Sequence, residues 1–194
     1  MILENKLGIT DSAQLANEEE RISKKKAAQM FETGYLDKLK AGSVESLVMI
    51  HKYLFEEIYE FAGQIREVNI AKGSFRFAPV MYLEEALKKI EKMPQSTYDE
   101  IIEKYVEMNV AHPFMEGNGR STRIWLDLIF KNRIKQCVDW SRINKKDYLE
   151  AMRISTTNPT IIKSLLVGAM TDRIADREIF MKGIDYSYYY EQED

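Results

Sequence analysis

His112-Pro113-Phe114-Met115-Glu116-Gly117-Asn118-Gly119-Arg120-Ser121-Thr122-Arg123 is the stretch whose reading decides the fold. Two glycines flank an asparagine, a histidine and a carboxylate precede them, and two arginines three apart lead into the apolar run Ile124-Trp125-Leu126-Asp127-Leu128-Ile129-Phe130. This pattern predicts a loop feeding the start of a helix. Unpaired backbone N–H groups there point outward at the positive end of the helix dipole, an arrangement that suits phosphate. A lone histidine at a helix end, or Gly-Asn-Gly by itself, is ordinary structure. Here one short run combines a proton acceptor, a hard-cation ligand, an anion cradle and two guanidinium groups, which a packing turn has no reason to assemble.

Outward from this run the periodicity is helical. Ile102, Val106 and Val110 recur at four-residue spacing behind a Thr97/Glu100 capping box, a helix that delivers His112. Tyr82 to Met93 is a further helix, ended by Pro94. Ser43 caps one that carries Leu47, Ile50, Leu54, Ile58 and Phe61 on one face and ends near Ala62-Gly63. His51 lies within it without an obvious partner and is read as a packing or surface residue. Residues 10 to 33 are charged and sparsely apolar, an exposed N-terminal helix or two. Between Ile65 and Pro79 the sequence alternates instead, with Val68 and Ile70 before Lys72-Gly73 and Phe75 and Phe77 after it. That predicts a short hairpin, which must lean on the helices or act as a flap. Downstream, Asn144 caps a helix, Asn158-Pro159 opens another, Gly183 closes the bundle, and the tyrosine-rich end from Ile184 to Asp194 docks on the body. The expectation is an all-α single domain over residues 1–194: N-terminal helices about 10–40, a core about 43–180 and a small β-hairpin.

Composition limits the function classes. With 45% hydrophobic and 30% charged residues and no apolar run of membrane-spanning length, a soluble cytoplasmic chain without a membrane partner is expected. Cys137 stands alone, so no disulfide framework exists, and the start of the chain lacks the order of a signal peptide. A formal charge of -3 leaves no basic surplus for a nucleic acid. Zinc would need ligands beyond His112 and Glu116, and only His51 remains, whereas one carboxylate with substrate phosphates suits Mg²⁺.

The run at 112–123 resembles the signature of the Fic (filamentation induced by cAMP) family, His-x-Phe-x-(Asp/Glu)-Gly-Asn-Gly-Arg-x-x-Arg, at every specified position, and the order of helices, hairpin and loop is similar over roughly residues 40 to 180. The resemblance implies a Fic-type helical bundle that transfers AMP from ATP to a Tyr, Thr or Ser hydroxyl of a target protein. His112 would then be the catalytic base and Glu116 the Mg²⁺ ligand. Lys72, Gly117, Asn118, Gly119, Arg120 and Arg123 would bind the phosphates, with the side chain of Asn118 taking part. Gly73, Ser74, Phe75, Arg76 and Phe77 would form the flap on which the target docks. Phe114 would anchor the loop from inside. Ser187-x-x-x-Glu191 resembles the family's inhibitory motif in the class that carries it on a C-terminal helix, here about 184–192. Glu191 would then pair with Arg123 and block the γ-phosphate, while Gln192 departs from the Gly or Asn usual at its position. Tyr188 is the expected site of self-modification. Three other readings stand beside this one: removal of AMP from a modified protein, phosphoryl transfer as in Doc-type relatives that carry Lys in place of Gly119, and a nucleotide-sensing or toxin-partner module without turnover. The target, the adenine pocket (Asn144 and Tyr148 are candidates) and self-association stay open.

Overall fold

The computed structural model describes residues 2–73 and 75–191. Ser74, expected in the flap, and Gln192, expected to end the inhibitory helix, lie outside the described residues. In chain order the helices are α1 (Ser12–Glu32), α2 (Val44–Phe55), α3 (Val80–Lys92), α4 (Tyr98–Ala111), α5 (Asn118–Ile134), α6 (Lys145–Ile154), α7 (Thr160–Val167) and α8 (Arg177–Glu191). The all-α expectation holds. The hairpin pairs β1 (Ala71–Lys72) with β2 (Phe75–Arg76), Ala71 opposite Arg76 and Lys72 opposite Phe75. A second short antiparallel pair, β3 (Cys137–Val138) with β4 (Met170–Thr171), was not expected, because two-residue strands leave no alternation to read.

The capping residues act as the sequence predicts. Ser43 accepts from Ser46 N–H, Thr97 and Glu100 form a complete capping box, and Asn144 accepts from Asp147 N–H. The second helix stops earlier than expected, at Phe55, and a turn carries the chain to Gly63.

α5 is the central helix, packed against α2, α4 and α8. Its residues from Asn118 to Phe130 are buried on nearly every side, and Trp125 is wholly buried with its indole N–H on the carbonyl of Ser43. A helix buried nearly all round is what its apolar run, interrupted only by Asp127, encodes. Lys104 of α4, 1% exposed, donates to Glu91 O, Met93 O and Gln95 Oε1, so it caps the negative end of α3 from inside the core.

Two expectations at the ends are corrected. α1 is not an exposed helix: Leu15, Glu19, Ile22, Ser23, Ala27 and Met30 are buried. They are covered by α2 and by α8, which runs antiparallel to α1. Along that pair Arg177 meets Glu32 at 3.0 Å, Phe180 packs on Phe31 at 5.2 Å between ring centres, Asp185 meets Lys24 at 2.8 Å and Tyr188 bonds Ser23. Gly183 does not close the bundle. It lies within α8, where a Cβ would come 3.2 Å from the Trp140 ring, so its absence lets the helix seat on that indole.

Asp127 of α5 fixes the segment under α8. It is half-buried and accepts from Val138 N–H and Trp140 Nε1–H, both at 2.8 Å, while desolvation pushes its carboxyl up to about 7 against the pull of those two donors. Asp127→Ala orphans both donors, and denaturant unfolding is expected to show a loss of about 2–4 kcal/mol. A change below about 1 kcal/mol would mean that Asp127 holds neither group.

Candidate functional site

α4 ends on His112, a non-glycine residue in the left-handed region (φ 47, ψ 65), and this turn aims its ring into a cavity of about 460 Å³. The cavity is lined by the flap (Lys72, Phe75, Phe77), the loop (Glu116, Asn118, Gly119), Arg123, Tyr148 and Met152 of α6, and Glu191. Nδ1 of His112 lies 3.1 Å from the carbonyl of Asn109. A carbonyl only accepts, so the hydrogen sits on Nδ1 and Nε2 keeps its lone pair. Burial pulls the imidazole down to about 4; the bond to Asn109 and the charge of Glu191 act the other way, and Lys72 and Arg66 add to the fall. The ring is a neutral proton acceptor across the neutral range, and Phe77 of the flap stacks on it at 3.6 Å.

The loop after His112 is closed by its own side chains. Asn118 does not offer its side chain to an anion, which corrects the sequence expectation. Its Oδ1 accepts from Phe114 N–H at 2.9 Å and its amide donates to Phe114 O at 2.7 Å, a clamp that leaves only backbone to face a phosphate. Phe114 is fully buried and stacks on His51 at 3.8 Å. His51 is the packing residue of the two alternatives expected for it, and it does have partners, because both its nitrogens are used. Nδ1 accepts from Gly63 N–H at 2.9 Å, so Nε2 carries the hydrogen and donates to Glu116 O at 2.8 Å. Burial pulls this ring down to about 4 as well. Gly117 has φ +77, and a Cβ there would lie 2.5 Å from the Phe55 ring. Glycine is required on both counts.

Around the two arginines the structure gathers carboxylates. Arg120, 4% exposed, pairs with Glu19 of α1 through Nη1 and with Glu116 at 2.8 Å through Nη2, between the rings of Phe55 and Tyr188. Its Nε has no aligned acceptor, although Glu191 Oε2 lies 3.1 Å away. Arg123 donates through Nε to Ser187 Oγ at 2.7 Å, through Nη1 to Tyr148 OH at 3.1 Å and through Nη2 to Glu191 Oε1 at 3.2 Å. Burial alone would raise the Glu191 carboxyl, but Arg120 and Arg123 outweigh it and hold it below the usual range. Glu116, raised by burial and by Glu191, is the more readily protonated of the two. A Cβ on Gly119 would overlap the Glu191 carboxylate and come 2.7 Å from Arg123 Nη2, so no side chain fits at 119 while α8 is seated.

The structure therefore brings together His112, Lys72, Glu116, Asn118, Gly119, Arg123 and Glu191 around one cavity, with Arg120 and Ser187 directly behind it. The C-terminal helix, expected from about 184, begins at Arg177. Tyr148 lines the cavity, and Asn144 caps α6 outside its lining. Tyr188 is turned away from the cavity, its hydroxyl bonded to Ser23 and to the carbonyl of Glu19. Glu19 went unnoticed in the sequence and His51 was given no role, although each sits on an apolar stripe, Leu15–Glu19–Ile22 and Leu47–His51–Leu54, where a polar residue signals a buried partner. Among the described residues no cluster of three His, Cys, Asp or Glu side chains is placed to hold a metal. The single carboxylate of Glu116, 41% exposed and open to the cavity, fits a cation held mainly by phosphate and water, as Mg²⁺ is.

A model of the Fic/DOC family matches residues 41–130. The chain is similar to a probable protein adenylyltransferase Fic of Salmonella typhimurium, 28% identical over 194 residues that cover 94% of this chain and 88% of the relative. It is also similar to the protein adenylyltransferase VbhT of Bartonella schoenbuchensis, 26% identical over 192 residues, 92% of this chain and 39% of the relative. The fold is that of BepC, a VirB-translocated effector of Bartonella tribocorum solved with bound AMPPNP, at a TM-score of 0.71 and 20% identity over 88% of this chain and 93% of that one.

His51 and His112 are the chain's only two histidines. Both are lowered from 6.5 to about 4, so the unfolded chain takes up two protons near pH 6.5 that the folded chain refuses until about pH 4. Stability is therefore expected to fall as pH drops through that window. Imidazole NMR signals should show two midpoints near 4; a midpoint near 6.5 for either ring would contradict the burial and tautomers described.

Proposed function

The chain belongs to the Fic/DOC family, and from that premise we propose that it is a protein adenylyltransferase that moves AMP from ATP to a hydroxyl of a target protein. One observation carries the reading: the free Nε2 of a neutral His112 opens on the same cavity as the N-terminus of α5, Glu116 and Arg123. The triphosphate lies against the backbone N–H groups at the start of α5, where the helix dipole favours negative charge. The target hydroxyl attacks the α-phosphorus and Nε2 of His112 takes its proton. The bond to the β-phosphate oxygen breaks, and pyrophosphate leaves. Glu116 would hold Mg²⁺, which neutralises charge on the leaving group when bound. To do so it releases Arg120, whose Nη2 then turns from a carboxylate to a phosphate oxygen. Lys72 adds a cation from the flap, and the edge formed by Gly73, Phe75 and Arg76 would take the target as an added strand.

In this reading Glu191 is an inhibitor, because it occupies the guanidinium face of Arg123 and reaches Arg120. Ser187 shares the first of these contacts. The γ-phosphate and the Glu191 carboxylate compete for one site. Tyr188 becomes an AMP acceptor only after α8 leaves α1, since its hydroxyl is held by Ser23 while docked. A modified Tyr188 then prevents α8 from seating again.

His112→Ala is expected to lower transfer by about 10²–10⁴-fold while ATP binding persists, since the substitution removes the proton acceptor and leaves the anion cradle. With α-labelled and γ-labelled ATP, label in protein should follow the α-phosphate alone; γ-label in protein would point to phosphoryl transfer instead. Glu191→Gly should raise transfer about tenfold or more, because it frees Arg123 for the γ-phosphate. An unchanged rate at saturating Mg²⁺-ATP would exclude inhibition by α8. In the same incubation, peptide masses should show AMP within residues 184–194, and no adduct there under conditions that label an outside target would dismiss Tyr188 as an acceptor.

A further inference from the structure

Arg66 stands just before the flap and is 3% exposed, and among the described residues no carboxylate pairs with it. Its guanidinium is spent on carbonyls instead. Nε donates to His112 O at 2.7 Å, Nη1 to Val68 O at 2.7 Å, and Nη2 to both Ala78 O at 2.6 Å and Ala111 O at 3.0 Å. Ala111 and His112 form the negative end of α4, and Val68 and Ala78 bracket the hairpin on its two sides. One rigid plane thus ties both stems of the flap to the backbone of the histidine itself, in its left-handed conformation. Two backbone bonds run alongside, Arg66 N–H to Pro113 O at 2.8 Å and Ala78 N–H to Val110 O at 2.9 Å. A lysine, with three donors radiating from one point, cannot span these four acceptors. Asn69 supplies a second staple that does not touch His112, its Oδ1 accepting from Val80 N–H at 2.8 Å.

We propose that Arg66 is a positioning residue that holds the flap and His112 in one register, so that a protein acceptor paired with the flap presents its hydroxyl to Nε2. The proposal rests on the transfer reaction above. A segment added to the β1–β2 edge is placed by backbone bonds, and His112 is placed by α4; the junction at Arg66, with the two backbone bonds beside it and the Phe77 ring on His112, sets the distance between them. An error of about 1 Å there costs on the order of 10²-fold in an oriented reaction. Water needs no flap. When water replaces the target hydroxyl, its oxygen bonds the α-phosphorus, His112 takes its proton, pyrophosphate leaves, and free AMP results.

The test uses the full-length Glu191→Gly chain as parent, with α-labelled Mg²⁺-ATP and a total cell lysate as the source of protein acceptors. Labelled protein and free labelled AMP are measured together, and their ratio does not depend on how much of the chain is folded. Arg66→Lys is expected to lower the ratio about tenfold or more, and Asn69→Ala to lower it by a smaller factor. A ratio within about twofold of the parent in Arg66→Lys, whatever the loss in total turnover, overturns the proposal and leaves Arg66 a packing residue. If Arg66→Lys does not fold, Asn69→Ala decides by the same criterion. A parent that yields labelled protein supports the transfer reading independently of that ratio, and a parent that yields neither product overturns the reading and the proposal together.

Discussion

Two guanidinium groups are buried at the start of a helix that is itself buried, and the rest of the structure is arranged to compensate them. Neither Arg120 nor Arg123 can reach solvent, and an uncompensated charge in such a place costs about 3–5 kcal/mol. Glu19, Glu116 and Glu191 supply the counter-charge from three different segments, α1, the loop and α8. The three hold their places by different means: Glu19 is buried and also bonded by Tyr59, Glu116 faces the cavity, and Glu191 is a quarter exposed at the end of its helix. Under the function proposed above, Glu19 would be the permanent partner and the other two exchangeable, so that an anion entering the cavity would replace carboxylates rather than meet bare arginines. Departure of Glu191 with nothing to follow it would strand Arg123 in a ring of aromatic residues, Trp140, Tyr148 and Tyr190.

The same economy shapes the loop. Gly-Asn-Gly suggests flexibility, yet every side chain that might loosen it is engaged: Asn118 clamps Phe114 at both ends, Phe114 lies on His51, and His51 bonds the Glu116 carbonyl. Rigidity at this point keeps the N–H groups of α5 aimed at one place without reorganisation when charge arrives, which is how electrostatic catalysis differs from solvation by water.

Much of this was legible in the sequence, for physical reasons. The residues at 112–123 must be contiguous because a helix N-terminus presents its donors over a single turn, so the anion-binding elements fall in one readable run. The Ser187/Glu191 spacing is one helical turn, which places both on Arg123. Residues that act across the fold were hidden. Glu19 and Arg120 are distant in sequence, as are His51 and Glu116, and no local pattern links such pairs. Only their position on apolar stripes marked Glu19 and His51 as buried. Arg66 gives no periodic signal at all, since its partners are carbonyls. The role expected of the Asn118 side chain failed because composition does not reveal which way an amide faces, and the loop needed it inside.

The chain has two tryptophans, and they stand in unlike places. Trp125 is locked in the core with its N–H on Ser43 O. Trp140 is equally dry, but what covers it is α8: Gly183 lies against its ring, Tyr190 stands edge-on to it, and the hydroxyl of Tyr190 bonds its carbonyl. Lifting the last turns of α8 would wet one indole and leave the other dry. The molecule therefore carries its own optical gauge, in which a red shift of the Trp140 emission reads the seating of the helix while Trp125 serves as an internal standard.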